Sequence, residues 1–182
     1  MQTDPNWSNF LYRGDRDELA LIDFGAAQEY SPDFISGYLN LVWGAAQGEC
    51  EEGREMVMAA SRDLGFITGD ESQAMLDAHY DAALVVGEPF LSDEPYDFSG
   101  GDFAARVGKH GETFAKERLT PPPQESYSLH RALSGAFLTC IKLDAKIVCR
   151  DILEEQWRLG LKREEEAAAE GEEGGAGEVQ AS

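Results

Sequence analysis

Asp4-Pro5-Asn6-Trp7-Ser8-Asn9, followed by Leu21-Ile22-Asp23-Phe24-Gly25 so that Asp23 stands fourteen positions after Asn9, is the stretch that decides the fold of this chain. Phe10-Leu11-Tyr12 has the apolar and aromatic character of a short strand, Arg13-Gly14-Asp15 that of a turn, and Leu19 to Ile22 that of the returning strand. Such a hairpin brings Asn9 and Asp23 to the same end. An Asp and an Asn five apart are commonplace alone, and the plain alternative is a turn and a strand end. In this order, with a ribbon between them, the pieces are far more specific.

The residue types suit one chemistry. Phosphoryl transfer spreads negative charge over the γ-phosphate oxygens, so a protein needs oxygen ligands that hold magnesium against the phosphates and a carboxylate that orients the nucleophile. Asn9 and Asp23 can supply the metal ligands, and Asp4, on a loop stiffened by Pro5, the orienting base. Gly25 is expected to allow a backbone conformation after Asp23 that a side chain would obstruct, and Phe24 to pack inward and aim Asp23.

The Asp-x-x-x-x-Asn spacing followed by Asp-Phe-Gly is that of the protein-kinase catalytic loop and its metal-holding turn. With Gln2 to Phe10, Leu21 to Ala26, Leu64-Gly65-Phe66-Ile67-Thr68-Gly69, Gly87-Glu88-Pro89-Phe90 and Pro121 to Arg131, the chain as far as about Trp157 resembles the UbiB/AarF/ADCK family of atypical kinases, in its mitochondrial coenzyme Q branch. The resemblance implies a protein-kinase-like fold, use of ATP with Mg²⁺, and support of ubiquinone biosynthesis by a kinase or ATPase. It assigns Asp4 the catalytic position, Asn9 and Asp23 the metal positions, and Phe24 and Gly25 the cofactor-binding turn. Quinone-biosynthesis proteins and a lipid or membrane surface are the implied partners. Mitochondria are the implied location, or a plastid in a photosynthetic source.

Departures qualify the transfer. Gln2-Thr3 stands where protein kinases carry His-Arg, a feature the family shares, and no Ala-Pro-Glu follows Gly25, so a peptide-substrate platform is not expected. The phosphate-covering loop, its Lys and the helix-borne Glu lie upstream of the catalytic loop in kinase-like folds, and the family's Lys-x-Gly-Gln has no counterpart here. Gly100-Gly101 and Gly171 to Gly177 lack the strand-turn-helix setting of a phosphate cradle. The expectation is a C-lobe that holds the metal end of the site without its N-lobe and is inactive in isolation. The alternatives are a non-catalytic helical module that binds a partner, and a small-molecule phosphotransferase of the aminoglycoside or choline kinase type.

Composition fits one globular domain: 182 residues with 42% hydrophobic and 10% aromatic side chains can bury a sizeable core. The formal charge is −20, and the seven acidic residues of Glu164 to Ser182 leave −13 for residues 1–163. That balance excludes a nucleic-acid binder and adhesion to anionic lipid by bulk charge. Residues 164–182, acidic and Gly-rich, are expected to be a disordered tail after a kinase-like C-lobe over 1–163. There is no run of 18 apolar residues for a membrane span, and the first twenty residues lack the apolar core of a signal peptide.

Periodicity predicts a mainly α chain, a helical bundle after one hairpin. The expected helices run Asp33 to Gln47, Glu52 to Leu64, Asp70 or Glu71 to Val86, Phe103 to Leu119, Gln124 to Ala145 and Lys146 to Leu161, with Leu91 to Gly101 as a long loop. Cys50, Cys140 and Cys149 have no metal spacing, and Cys140 reads as a buried thiol, all three reduced as in an intracellular compartment. His79 is expected at a surface or cap, His130 and Arg131 in structural roles, and Asp93, Glu94 and Asp97 in a solvated loop.

Overall fold

The computed structural model describes residues 1–4 and 6–162; Pro5 and 163–182, and with them the expected stiffening by Pro5 and the acidic tail, lie outside the described residues. The N-terminal ribbon forms as its pattern predicts. Strand β1 (Phe10–Arg13) pairs antiparallel with β2 (Glu18–Leu21), Phe10 opposite Leu21 and Arg13 opposite Glu18. Ahead of it Gln2 bridges to Ala27, so residues 1–3 run beside 26–28.

Helix α1 (Pro32–Ala45) starts where Ser31 caps it, its hydroxyl accepting from Phe34 N with Pro32 in the first turn. Helix α2 (Glu51–Asp63) is capped by the Cys50 sulfur, which accepts from Gly53 N, and ends before Gly65 at φ +78°. Helix α3 (Gln73–Gly87) opens later than expected. Ser72 is the cap, accepting from Met75 N, while Glu71 folds back to accept from the backbone N–H groups of Thr68 and Gly69, each at 2.8 Å.

These three helices enclose the larger core, in which Ala45 and Val57 are fully buried beside Leu41, Phe66, Ile67, Tyr80 and Ala83. α1 and α2 approach backbone to backbone at Gly44 and Gly53: a Cβ on Gly53 would lie 2.7 Å from Gly44 O. Any larger residue there forces the helices apart.

The second half departs from expectation in four places. The single helix foreseen over Phe103 to Leu119 is broken into α4 (Phe103–Gly108) and α5 (Gly111–Glu117), because Gly108 and Gly111 flank a joint where His110 Nε2 turns to Asp81 on α3 at 3.3 Å. Helix α6 (Gln124–Lys142) stops short of Ala145, since Asp144 takes φ +52° and reverses the chain. The segment expected as a long loop holds β3 (Tyr96–Asp97), paired with β4 (Lys146–Ile147), and a Phe98–Gly100 turn whose Phe98 is buried. The last helix, α7 (150–162), therefore starts four residues after Lys146.

The β3–β4 clasp closes a smaller core in which Phe137 of α6 stacks on Phe103 at 4.0 Å and meets Phe98 edge-on at 5.4 Å. Cys149 is the buried thiol of this core, and Cys140, expected to be buried, packs against it partly buried; all three cysteines are free. α7 is held by Trp157 stacked on Trp43 at 4.7 Å, and by Arg150, whose Nη1 donates to the carbonyls of Ala46 and Phe90. No described helix is long and apolar enough to cross a membrane.

Candidate functional site

The loop ahead of β1 is held by its own short polar side chains. Asn6 accepts from Ser8 N at 3.1 Å and caps a single turn over Trp7–Asn9. That turn swings Asn9 back over Asp4, and Asn9 Nδ2 donates to Asp4 Oδ2 at 2.8 Å. Asn9 is 5% exposed and its carbonyl accepts from Ile22 N at 3.0 Å. The ribbon thus begins its pairing at Asn9, and Asp23 follows directly after Asn9's partner. Asp4 and Asn9 are in contact, and Asp23 lies at the same end of the ribbon.

Gln2 fastens the two strands of this site. Its Nε2 donates to the Asp23 carbonyl, and its Oε1 accepts from Asp4 N at 2.9 Å. Thr3, 2% exposed, donates both its backbone N–H and its hydroxyl to Ala26 O. From the other side α6 braces the loop: Arg131 Nε donates to Thr3 O at 3.0 Å and Nη2 to Thr3 Oγ1 at 3.1 Å. Ser128 shares a 2.9 Å hydrogen bond with Tyr30, and Lys142 Nζ sits 4.5 Å over the Trp7 ring.

Two expectations for the Asp-Phe-Gly turn are corrected. Phe24 does not pack inward; it is 65% exposed and the turn is oriented by Gln2 instead. Gly25 is outside the left-handed region, and its lack of a side chain matters for space. Gly25 N donates to Asp23 Oδ1 at 2.8 Å, and a Cβ on Gly25 would come within 3.2 Å of that oxygen.

The donor set has a definite chemistry. With Nδ2 committed to Asp4, Asn9 offers Oδ1 as its remaining ligand atom, and the exposed Asp23 offers the carboxylate oxygen that Gly25 does not use. No cluster of three His, Cys, Asp or Glu among the described residues could hold a metal. One carboxylate and one amide oxygen suit Mg²⁺, which keeps its waters and takes phosphate oxygens, better than zinc or a caged calcium.

Sequence reasoning missed the positioning role of Gln2, Thr3 and Arg131. A polar pair just before Asp4 was visible, but nothing in the sequence connects Thr3 with a residue 128 positions away. His79 is also corrected: it is 8% exposed, bonded to Ser61 Oγ at 2.8 Å, and neither caps a helix nor faces solvent. Burial, with a smaller push from Arg118, lowers its pKa to about 4. His130 stacks on Phe66 at 5.9 Å, and burial again depresses its pKa.

Residues 1–57 match the family described as the ABC1 atypical kinase-like domain. The chain is 43% identical over 157 residues to the mitochondrial atypical kinase COQ8B of Rattus norvegicus, which covers 86% of this chain and 29% of the rat protein. It is 46% identical over 154 residues to mitochondrial atypical kinase COQ8 of Schizosaccharomyces pombe, covering 84% and 25% respectively. Against COQ8 of Saccharomyces cerevisiae it is 43% identical over 157 residues, covering 85% and 30%. The chain therefore spans less than a third of the length of these relatives.

Proposed function

We propose, from the premise that this chain belongs to the ABC1 atypical kinase-like family, that it carries the metal-binding and base end of an ATP-dependent kinase or ATPase that supports coenzyme Q biosynthesis in mitochondria. The hydrogen bond from Asn9 Nδ2 to Asp4 Oδ2 supports this reading best, because it leaves Asn9 Oδ1 outside that contact and orients Asp4. Asn9 Oδ1 and the Asp23 carboxylate would hold Mg²⁺, which supplies charge neutralisation of the ATP phosphates when bound. Asp4 accepts at Oδ1 from Asn6 N and at Oδ2 from Asn9, so it is pinned to orient an acceptor hydroxyl or water and to receive its proton.

The ribbon supports the need for a covering lobe. Leu11, Tyr12, Leu19, Ile22 and Phe24 are each at least 49% exposed, a run of large apolar side chains that a further segment would bury. Proteins of quinone biosynthesis and a lipid surface remain the proposed partners of the whole protein.

The test is a chimera in which this chain replaces the matching segment of rat COQ8B. Asp23→Asn should abolish magnesium-dependent ATP hydrolysis while leaving the circular dichroism spectrum intact. Asp4→Asn should reduce turnover with little change in nucleotide affinity, because a base acts mainly in the transition state. An undiminished rate in Asp23→Asn rejects the assignment, and a chimera that binds no ATP favours the non-catalytic module.

A further inference from the structure

A cavity lies away from Asp4, Asn9 and Asp23, among α1, α3, α4, α5 and α6. Its volume is about 280 Å³, and Phe66, Phe103, Phe114 and Leu133 are among its apolar walls. Close packing leaves few voids larger than a water molecule, and an apolar cavity of about 150 Å³ already holds benzene. This one approaches the roughly 300 Å³ at which small-molecule pockets begin.

One polar atom in the wall has no hydrogen-bond partner. Arg118, between α5 and α6, lays its guanidinium 5.1 Å over the Phe114 ring, and its Nη1 is buried without a hydrogen-bond partner. Among the described residues it is the only buried side-chain nitrogen or oxygen so left. The cavity lining contains no carboxylate. Glu71, the carboxylate whose charge acts on Arg118, is already taken up by Thr68 N, Gly69 N and the Thr68 hydroxyl. The other titratable groups in the lining are Tyr38, His79 and His130. Burial lowers the pKa of both imidazoles and raises that of the Tyr38 hydroxyl, which favours the neutral form of all three. Arg118 is then a lone cation facing an apolar chamber in a chain of net charge −20. A guanidinium with a free N–H is matched best by a planar two-oxygen anion.

We propose that this cavity is a binding site for a small apolar monocarboxylate, about one ring with a short chain in size, whose carboxylate accepts from Arg118 Nη1 while its body lies against Phe66, Phe103, Phe114 and Leu133. The site is separate from Asp4, Asn9 and Asp23, and it stands whether or not those residues bind magnesium.

Isothermal titration calorimetry of the full chain at pH 7.5 tests it with three probes: 4-butylbenzoate, octanoate and the uncharged 4-butylbenzamide. At least one carboxylate should bind about tenfold or more tightly than the amide, and the tighter of the two assigns an aromatic or an aliphatic body. Arg118→Met should remove that preference and leave amide binding unchanged, and Ala82→Phe, which fills the chamber, should abolish binding of every probe. Equal affinity for acid and amide, an unchanged preference in Arg118→Met, or no binding of either acid at about 1 mM overturns the proposal. If Arg118→Met fails to fold, proton NMR of the unaltered chain decides: transfer of magnetisation between the bound acid and the Phe103 and Phe114 rings is expected, and its absence with acid bound sinks the site.

Discussion

The two ends of the molecule are held by different forces. In the bundle, Val57, Met75 and Ile67 are at most 2% exposed, and stability there comes from apolar area removed from water. At the N-terminal end the ribbon's apolar side chains stay in solvent, and its order rests on short polar links: Gln2 to Asp23 and Asp4, Asn9 to Asp4, Arg131 to Thr3. A bundle held by burial tolerates loss of single hydrogen bonds. A loop held by hydrogen bonds does not, and a site built this way is precise only while its supports are intact.

The contrast can be broken most sharply in the core. Ile67→Ala removes a side chain 2% exposed and should cost about 2–5 kcal/mol, read from the urea midpoint of the whole chain. Acid should act on the same region. The folded His79 has its pKa lowered to about 4 against about 6.5 when unfolded, with Arg118, Glu71 and His130 as the charges acting on it. Below about pH 6.5 the unfolded chain therefore takes up a proton that the folded one refuses. Stability attributable to His79 is intact above that pH and falls by up to about 3 kcal/mol on approaching pH 4. Urea midpoints across this window check it, and the loss should shrink in His79→Gln whatever its baseline stability.

At the other end, Arg131→Met strips two donors from Thr3 and should cost about 1–3 kcal/mol. Its signature is local: faster amide exchange at Thr3 and Asn9 with α1 to α3 unchanged. A uniform loss of protection would show that the loop and the bundle are one cooperative unit. The smallest effect belongs to Phe24→Ala, expected within about 0.5 kcal/mol because the ring is 65% exposed. A loss there as large as that of Ile67→Ala would mean that the ribbon is already covered in solution, by a second copy of the chain for example, and would end the distinction between the two ends.

The ribbon and the first three helices were legible because each is a local pattern: a turn between apolar pairs, and apolar residues at helical spacing. The common placing of Asn9 and Asp23 was legible for a related reason, since a hairpin alone brings positions fourteen apart to one end. What escaped was non-local. The α4–α5 break depends on His110 meeting Asp81, and β3 and β4 are two residues each, too short to show periodicity and formed only because they find one another across 49 positions. Phe24 misled because the inward packing expected of it requires a surface to pack on, and among the described residues none covers it.

From the order of residues alone came the fold class, the placing of Asn9 and Asp23 at one end of the ribbon, and the family that the matched relatives support. Those follow from spacing along the chain, which sets what a strand, turn or helix can present. Packing alone decided that His79 is buried with its pKa lowered, that Arg131 steadies the loop at Thr3 and that Arg118 faces an apolar chamber with its Nη1 unbonded. Burial and hydrogen-bond satisfaction belong to groups brought together from distant positions, and no local pattern encodes them.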